Sequence, residues 1–135
     1  MSKYGSRKTK VDNITFDSVA EAKYYEQLKW LLHAKQIKSF KLQPKFLLQE
    51  GFKKHGVTVQ KIEYIADFEV RNLDGTVEIV DVKGVETKDF ILKKKMYLKR
   101  YDYPLKLVTL HKSLGWIELE QLKKLERKAK GRTKK

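Results

Sequence analysis

Apolar residues along the chain switch between two spacings, and each switch marks an element. From Ser18 the positions Ala20, Tyr24, Leu28, Leu31 and Leu32 recur at helical spacing. Ser18-Val19-Ala20-Glu21 has the Ser-x-x-Glu form of a capping box, which predicts a helix start there. Phe40 to Leu48 reads as extended, with Pro44 as an edge or a break, and Gly51 to Gly56 reads as a loop. From Val57 to Val70 the spacing is two. Ile62, Tyr64, Ala66, Phe68 and Val70 fall on one face of a strand, and Glu63, Ile65, Asp67 and Glu69 on the other. "NLDGT" at 72–76 is a turn signal, and Thr76 to Val82 is the returning arm of a hairpin. Helical spacing resumes between Thr87, a candidate cap, and Tyr101. Phe90, Ile91, Tyr97, Leu98 and Tyr101 are predicted inward, and Lys88, Lys93, Lys95 and Lys99 outward. Pro104 ends that helix, Leu105 to Leu110 is a short apolar strand, and Trp116 to Lys130 reads as a last helix with Ile117, Leu122, Leu125 and Ala129 inward. The elements predict a single α/β domain over residues 14–130, with a mixed sheet of four or five strands flanked by helices. Residues 1–13, polar and aperiodic, are expected to form a flexible basic arm, and 131–135 a loose basic tail.

Composition narrows the class of protein. A chain of 135 residues suits one domain with one core. The absence of cysteine excludes disulfides and thiolate metal sites. No apolar run approaches the ~18 residues of a membrane span, and the opening decapeptide has no apolar core of a signal peptide, so a cytoplasmic location is expected. Net charge is +14, from 31 Lys and Arg against 17 Asp and Glu, which points to a polyanionic partner. The charge is unevenly spread. Lys61 to Gly84 holds six acids and three bases, net −3, which leaves +17 for the rest of the chain. An acidic centre in a basic protein suits a cation held beside a polyanion.

That centre contains "EIVDVKG" at 78–84, which aligns Val77, Ile79, Asp81 and Lys83 on one face of a strand. A three-residue loop, Leu73-Asp74-Gly75, sets Asn72 opposite Thr76 and therefore Asp67 opposite Asp81. Directly opposed residues have Cβ atoms about 5 Å apart, and two carboxylates so placed repel. A hard divalent cation such as Mg²⁺ reverses the sign of that interaction. Lys83 lies one pleat further on, and Glu21 reaches the same corner if the first helix packs on this face. Three acids and a lysine around one cation are equipment for hydrolysing a phosphodiester: the cation acidifies water and polarises phosphate oxygens, and the lysine steadies the attacking oxygen or the charge developing on the phosphate. Taken singly, each residue has a plainer role. Glu21 is a helix cap, Asp81-Val82-Lys83 a surface pair, and Lys93-Lys94-Lys95 a solvated face; their joint occurrence carries the site. Since the lysine-rich helix begins just after Gly84, Lys88, Lys93, Lys94, Lys95 and Lys99 are expected to meet phosphates. Gln43 can approach the site from the preceding strand. His33, His55 and His111 are dispersed, and neither a nucleophile elbow nor a glycine-rich phosphate loop is present.

A helix carrying Glu21, a strand "YIADF", a hairpin, "EIVDVKG" and then a lysine-rich helix together resemble the PD-(D/E)XK nuclease superfamily, in particular its small phage-encoded proteins. Asp67 matches the first-motif carboxylate, with Ala66 in place of the usual proline. Asp81-Val82-Lys83 matches the second motif in full, and Glu21 the helical acid of many members. The resemblance covers roughly residues 16–110. It implies a restriction-endonuclease-like fold and Mg²⁺ or Mn²⁺ held by Asp67, Asp81 and the Val82 carbonyl, with Glu21 as a further candidate ligand. It also implies Glu21, Asp67, Asp81 and Lys83 as catalytic residues, and cleavage of DNA, including branched DNA in phage DNA processing or recombination. The superfamily also contains inactive binding modules, so a non-catalytic nucleic-acid-binding protein stays open. An RNA-directed nuclease also stays open, as does the choice between monomer and homodimer.

Overall fold

A computed structural model describes residues 8–133. In chain order its elements are β1 (Thr9–Val11), β2 (Ile14–Phe16), α1 (Val19–His33), β3 (Ile37–Leu42), β4 (Lys45–Gln49), β5 (Phe52–Lys54) and β6 (Val57–Val59). They continue with β7 (Ile62–Ile65), β8 (Phe68–Asn72), β9 (Val77–Val82), α2 (Lys88–Arg100), β10 (Leu105–His111), β11 (Gly115–Glu118) and α3 (Leu119–Thr133). The central sheet has five strands in the order β11-β10-β9-β8-β3. Only β9 and β10, joined through α2, run parallel; the other neighbours are antiparallel, so the sheet is mixed as expected. No helix among the described residues is long and apolar enough to cross a membrane.

The β8–β9 hairpin has the predicted register. Phe68 faces Val80, Glu69 faces Ile79, Val70 faces Glu78 and Arg71 faces Val77. Its loop closes through Asn72 N–H to the Thr76 carbonyl at 2.8 Å, with Gly75 at φ 89° in the left-handed region that glycine reaches without strain. Asp74 accepts from the Thr76 N–H at 2.9 Å and steadies the turn.

Two apolar layers cover the sheet. On one face α1 buries Ala22, Tyr25 and Leu28 against Phe68, Val70, Val80 and Val108. On the other α2 buries Phe90 and Tyr97 against Ile79, Tyr64, Ala66 and Phe46. Ser18 caps α1, its Oγ accepting from Glu21 N–H at 3.1 Å, and Thr87 caps α2 in the same way through Phe90 N–H. α2 is fastened to β4 by Tyr101 Oη and the Arg100 guanidinium, which donate to the Leu47 and Leu48 carbonyls at 2.8 and 3.0 Å.

Several expectations are corrected. The stretch from Val57 to Val70 is three strands, β6, β7 and β8, because pairing breaks at Gln60 and Lys61 and the chain bends at Ala66 and Asp67. Tyr64 and Ala66 therefore face α2, while Phe68 and Val70 face α1, not one shared side. Gly51 to Gly56 is no loop; Phe52–Lys54 pairs with Val57–Val59 as a ribbon. Thr9–Val11 pairs with Ile14–Phe16, so the arm expected at 1–13 is structured from Thr9, and its residues 1–7 lie outside the described residues. Asp12 at that turn accepts from Tyr25 Oη and pairs with Lys29, which ties the hairpin to α1. The buried stripe of α1 is rotated towards Ala22, Tyr25 and Leu28, leaving Leu32 exposed. Ile91 and Leu98 of α2 are also exposed. Trp116 and Ile117 belong to β11, and α3 starts at Leu119 and runs through Thr133, so residues 131–133 are helical; 134 and 135 lie outside the described residues. Leu125 and Ala129 of α3 are exposed because only its first turns rest on β10 and β11.

Ile79 sits at the centre of the sheet with no solvent exposure. Ile79→Ala removes packing that the surrounding rings of Tyr64, Phe90 and Tyr97 refill poorly. It is expected to cost about 2–5 kcal/mol, read as a lower urea midpoint at an unchanged slope.

Candidate metal centre at the end of the central hairpin

The bend at Ala66–Asp67 ends the β8–β9 ladder at the Phe68–Val80 pair. The Asp67 side chain takes over where the next backbone acceptor would lie: its Oδ2 accepts from Val82 N–H at 2.8 Å. In an extended strand a residue's N–H and C=O project to the same edge, so the Val82 carbonyl also points towards Asp67. Backbone around the bend is held by Gln43 N–H to the Asp67 carbonyl at 2.9 Å and by Ala66 N–H to the Pro44 carbonyl at 3.1 Å.

Asp81 lies opposite, 2% exposed, the one buried charged residue of the described core. Its carboxylate accepts from the Tyr64 hydroxyl, and its Oδ1 is 3.5 Å from Lys83 Nζ. Lys83 in turn lies over the Phe90 ring, 4.6 Å from its centroid, and its own N–H donates to the Val108 carbonyl at 2.9 Å. The expected face holds: Val77, Ile79, Asp81 and Lys83 all look towards α2. The ammonium is thus held between a carboxylate and an aromatic face.

The electrostatics follow from burial. Burial first, then the Asp81 charge and a hydrogen bond between the two carboxyls, push Asp67 up to about 9; Val82 N–H opposes this. Asp67 is therefore protonated through neutral pH where nothing else neutralises the corner. The Tyr64 hydroxyl is pushed well above its ordinary range by burial and by Asp81, so it remains a donor. Glu21 is raised by burial, then by Asp17 and Asp81, while Ser18 and Lys83 hold it down.

Glu21 arrives differently from the expected route. α1 packs on the face away from Asp81, and Glu21 reaches the corner around the end of the sheet. A cavity of about 70 Å³, lined by Glu21, Gln43 and Asp67 beneath Thr15 and Phe16, joins these groups and has room for water. Gln43 adopts φ 49°, the left-handed kink between β3 and β4 that turns it beside Asp67. Among the described residues no three His, Cys, Asp or Glu side chains converge closely enough to ligate one ion. The donors gathered at the corner are thus two carboxyls and a strand-end carbonyl, and Glu21 acts on them through its charge.

The lysines of α2 divide. Lys88, Lys95 and Lys99 are exposed. Lys93 is half-buried and 3.8 Å from Asp89; Lys94 is half-buried and 3.3 Å from Glu86, which Lys123 also holds at 3.0 Å. Tyr24, Tyr97 and Tyr101 pack in the core as expected, Tyr25 joins them, and His111 accepts two turn N–H groups through Nδ1 at 3.1 Å. Sequence reading missed Tyr64. Strict alternation places it on the face opposite Asp67, and only the bend at residues 66–67 brings it to Asp81.

Residues 1–118 match the family described as "Protein of unknown function (DUF1064)". The chain belongs to the DUF1064 family. The match takes in the whole corner formed by Glu21, Gln43, Tyr64, Asp67, Asp81 and Lys83, and stops where α3 begins. No curated protein and no solved structure matches this DUF1064 chain.

The raised Asp67 carries a pH signature. A carboxyl that ordinarily titrates near 3.8 and is raised to about 9 on folding costs nothing below about pH 4, and destabilises the fold progressively as pH climbs through that window. Asp67→Asn keeps an acceptor for Val82 N–H and a donor for Asp81 without the ionisable proton. In chelator-containing buffer its melting temperature should therefore gain on wild type between pH 5 and pH 8. An equal difference at both pH values contradicts a proton held in the folded pair.

Proposed function

We propose that the chain is a metal-dependent endodeoxyribonuclease with a restriction-endonuclease-like, PD-(D/E)XK-type architecture. One observation carries the reading: Asp67 and Asp81 meet in a buried corner that disfavours two charges, and Lys83 stands 3.5 Å from Asp81 in a chain of net charge +14. Two paired carboxyls and a carbonyl are the hard oxygen donors that Mg²⁺ or Mn²⁺ takes, and such an ion would neutralise the corner in place of the Asp67 proton. Asp67, Asp81 and the Val82 carbonyl would hold it. When bound, it supplies Lewis acidity towards water and phosphate oxygens.

The protein's own groups do the rest. Tyr64 orients Asp81 by donating to it. Glu21, lining the cavity with Asp67 and Gln43, accepts a hydrogen bond from the attacking water and orients it. Lys83 counters the charge that grows on the phosphate oxygens, a contact strengthened by the surrounding low dielectric. Lys88, Lys95 and Lys99 hold phosphates along the strand; Lys93 and Lys94, already paired with Asp89 and Glu86, add less. Branched DNA in phage genome processing or recombination remains the favoured substrate on resemblance, with the host cytoplasm as its location. A non-catalytic nucleic-acid binder is the second reading. It is favoured by the saturation of Asp81, which Tyr64 and Lys83 both engage.

Asp81→Asn and Lys83→Ala separate these readings. Asn keeps an oxygen for the Tyr64 hydroxyl, which Ala would leave buried and unpaired at a cost of about 1–3 kcal/mol. Both variants should melt near wild type and hold DNA in gel shifts. Nicking of plasmid and four-way-junction DNA in Mg²⁺ or Mn²⁺ should vanish in Asp81→Asn and fall on the order of 10²–10³-fold in Lys83→Ala. Mn²⁺ should raise the melting temperature of wild type but not of Asp81→Asn. Wild-type cutting by folded Asp81→Asn, with contaminating nuclease excluded, rules out the catalytic assignment. Preferential cutting of matched RNA identifies an RNA-directed enzyme.

A further inference from the structure

The ribbon formed by β5 and β6 has no structural task within the fold. Its strands pair with each other, Phe52 to Val59, Lys53 to Thr58 and Lys54 to Val57, and neither packs extensively on any other element among the described residues. Both faces are open: Phe52 is 45% and Val57 62% exposed, and Lys53, Lys54 and His55 are exposed between them. A two-stranded ribbon with no covered face gains little from burial and is marginal by itself in water. The sequence nevertheless specifies it closely. His55 at φ 52° and Gly56 at φ 76° form the two-residue turn in which both central residues are left-handed, the geometry that matches strand twist. At the base, a Cβ on Gly51 would lie 3.1 Å from the Val59 carbonyl oxygen and 3.2 Å from the Lys61 nitrogen, so glycine suits the close crossing there.

Charge points to what the ribbon meets. Residues 51–61 contain Lys53, Lys54, Lys61 and His55 and no acid. With net charge +14, a second copy of the chain would be repelled from this surface, whereas a polyanion would be drawn to it. From Gly51 to the tip the ribbon extends roughly 15 Å at strand rise. The major groove of B-form DNA, about 12 Å wide and 8.5 Å deep, admits a two-stranded ribbon. β4 and β7 connect the ribbon to the site: their ladder runs from the Gln49–Ile62 pair at the ribbon to the Lys45–Ile65 pair beside Pro44 and Ala66. The tip is eleven residues from Asp67 in sequence, at most about 35 Å away along extended chain, or roughly one turn of duplex.

We infer that the β5–β6 ribbon is a duplex-DNA-binding arm that enters the major groove within one helical turn of the Asp67–Asp81 corner, with Lys53 and Lys54 on phosphates. The inference rests on the reading of the chain as a DNA-acting protein. It is tested by binding, not cleavage. Lys53→Ala/Lys54→Ala is compared with wild type and with Lys38→Ala/Lys41→Ala, which removes equal charge from the exposed edge strand β3. Affinity for a 30-bp DNA duplex and for an RNA duplex of the same sequence is measured by fluorescence anisotropy across a salt series in EDTA.

The ribbon variant should melt as wild type does. On DNA it should show a log K against log[salt] slope shallower by about 2, and affinity lower by on the order of tenfold at moderate salt. The β3 variant should change little. On A-form RNA, whose major groove is too narrow for the ribbon, the ribbon variant should lose much less. Equal losses for ribbon and β3 variants, or equal losses on DNA and RNA, overturn the arm. So does a ribbon variant that changes oligomeric state while its DNA slope stays that of wild type. Wild type that binds no DNA overturns the arm together with the DNA-acting reading; wild type that binds with ribbon dependence yet never cuts retains the arm and removes only the nuclease.

Discussion

Two carboxyl groups forced together at the buried end of a hairpin set the terms for the surrounding structure. The β8–β9 register, continued one step past its last pair Phe68–Val80, sets Asp67 against Asp81; Asp81 is 2% exposed, and half-buried Asp67 is fixed by Val82 N–H at 2.8 Å. Such a pair raises the free energy of the folded state unless a proton or a cation neutralises it. The neighbourhood supplies partial compensation from every side. Tyr64 donates to Asp81, Lys83 stands beside it, and backbone N–H groups close the bend.

The bend at Ala66 and Asp67 makes that corner possible. A strand continuing straight from Ile62 would keep Tyr64 and Phe68 on one side of the sheet. The bend shifts the phase by one residue, so the chain upstream serves the α2 layer and the chain downstream the α1 layer. Asp67, at the shift, belongs to neither core. One irregularity thereby covers both faces of the sheet with apolar residues and leaves a polar opening between them, where β2, α1 and the β3–β4 kink contribute Thr15, Phe16, Glu21 and Gln43.

The basic residues are distributed by the same architecture. α2 begins shortly after the site strand and carries exposed Lys88, Lys95 and Lys99 along its length. The β5–β6 ribbon leaves from the far end of the β4–β7 ladder, and α3 extends past the sheet with its charged face in water. An acidic centre thus lies in a chain whose net charge is +14.

The candidate site was legible in the sequence to the extent that it depends on neighbours along the chain. The turn 72–76 alone set the hairpin register and so opposed Asp67 to Asp81, because pairing in a short hairpin follows from loop length. The caps at Ser18 and Thr87 and the shared face of Asp81 and Lys83 are local in the same sense. Four features were decided by packing between distant segments: the bend at Ala66–Asp67, Tyr64 as the partner of Asp81, the approach of Glu21 around the sheet end, and the pairing of Lys94 with Glu86. Alternation in the sequence reports which residues are apolar, but not which of two apolar layers each one enters. That choice is made only when α1 and α2 cover opposite faces of one sheet.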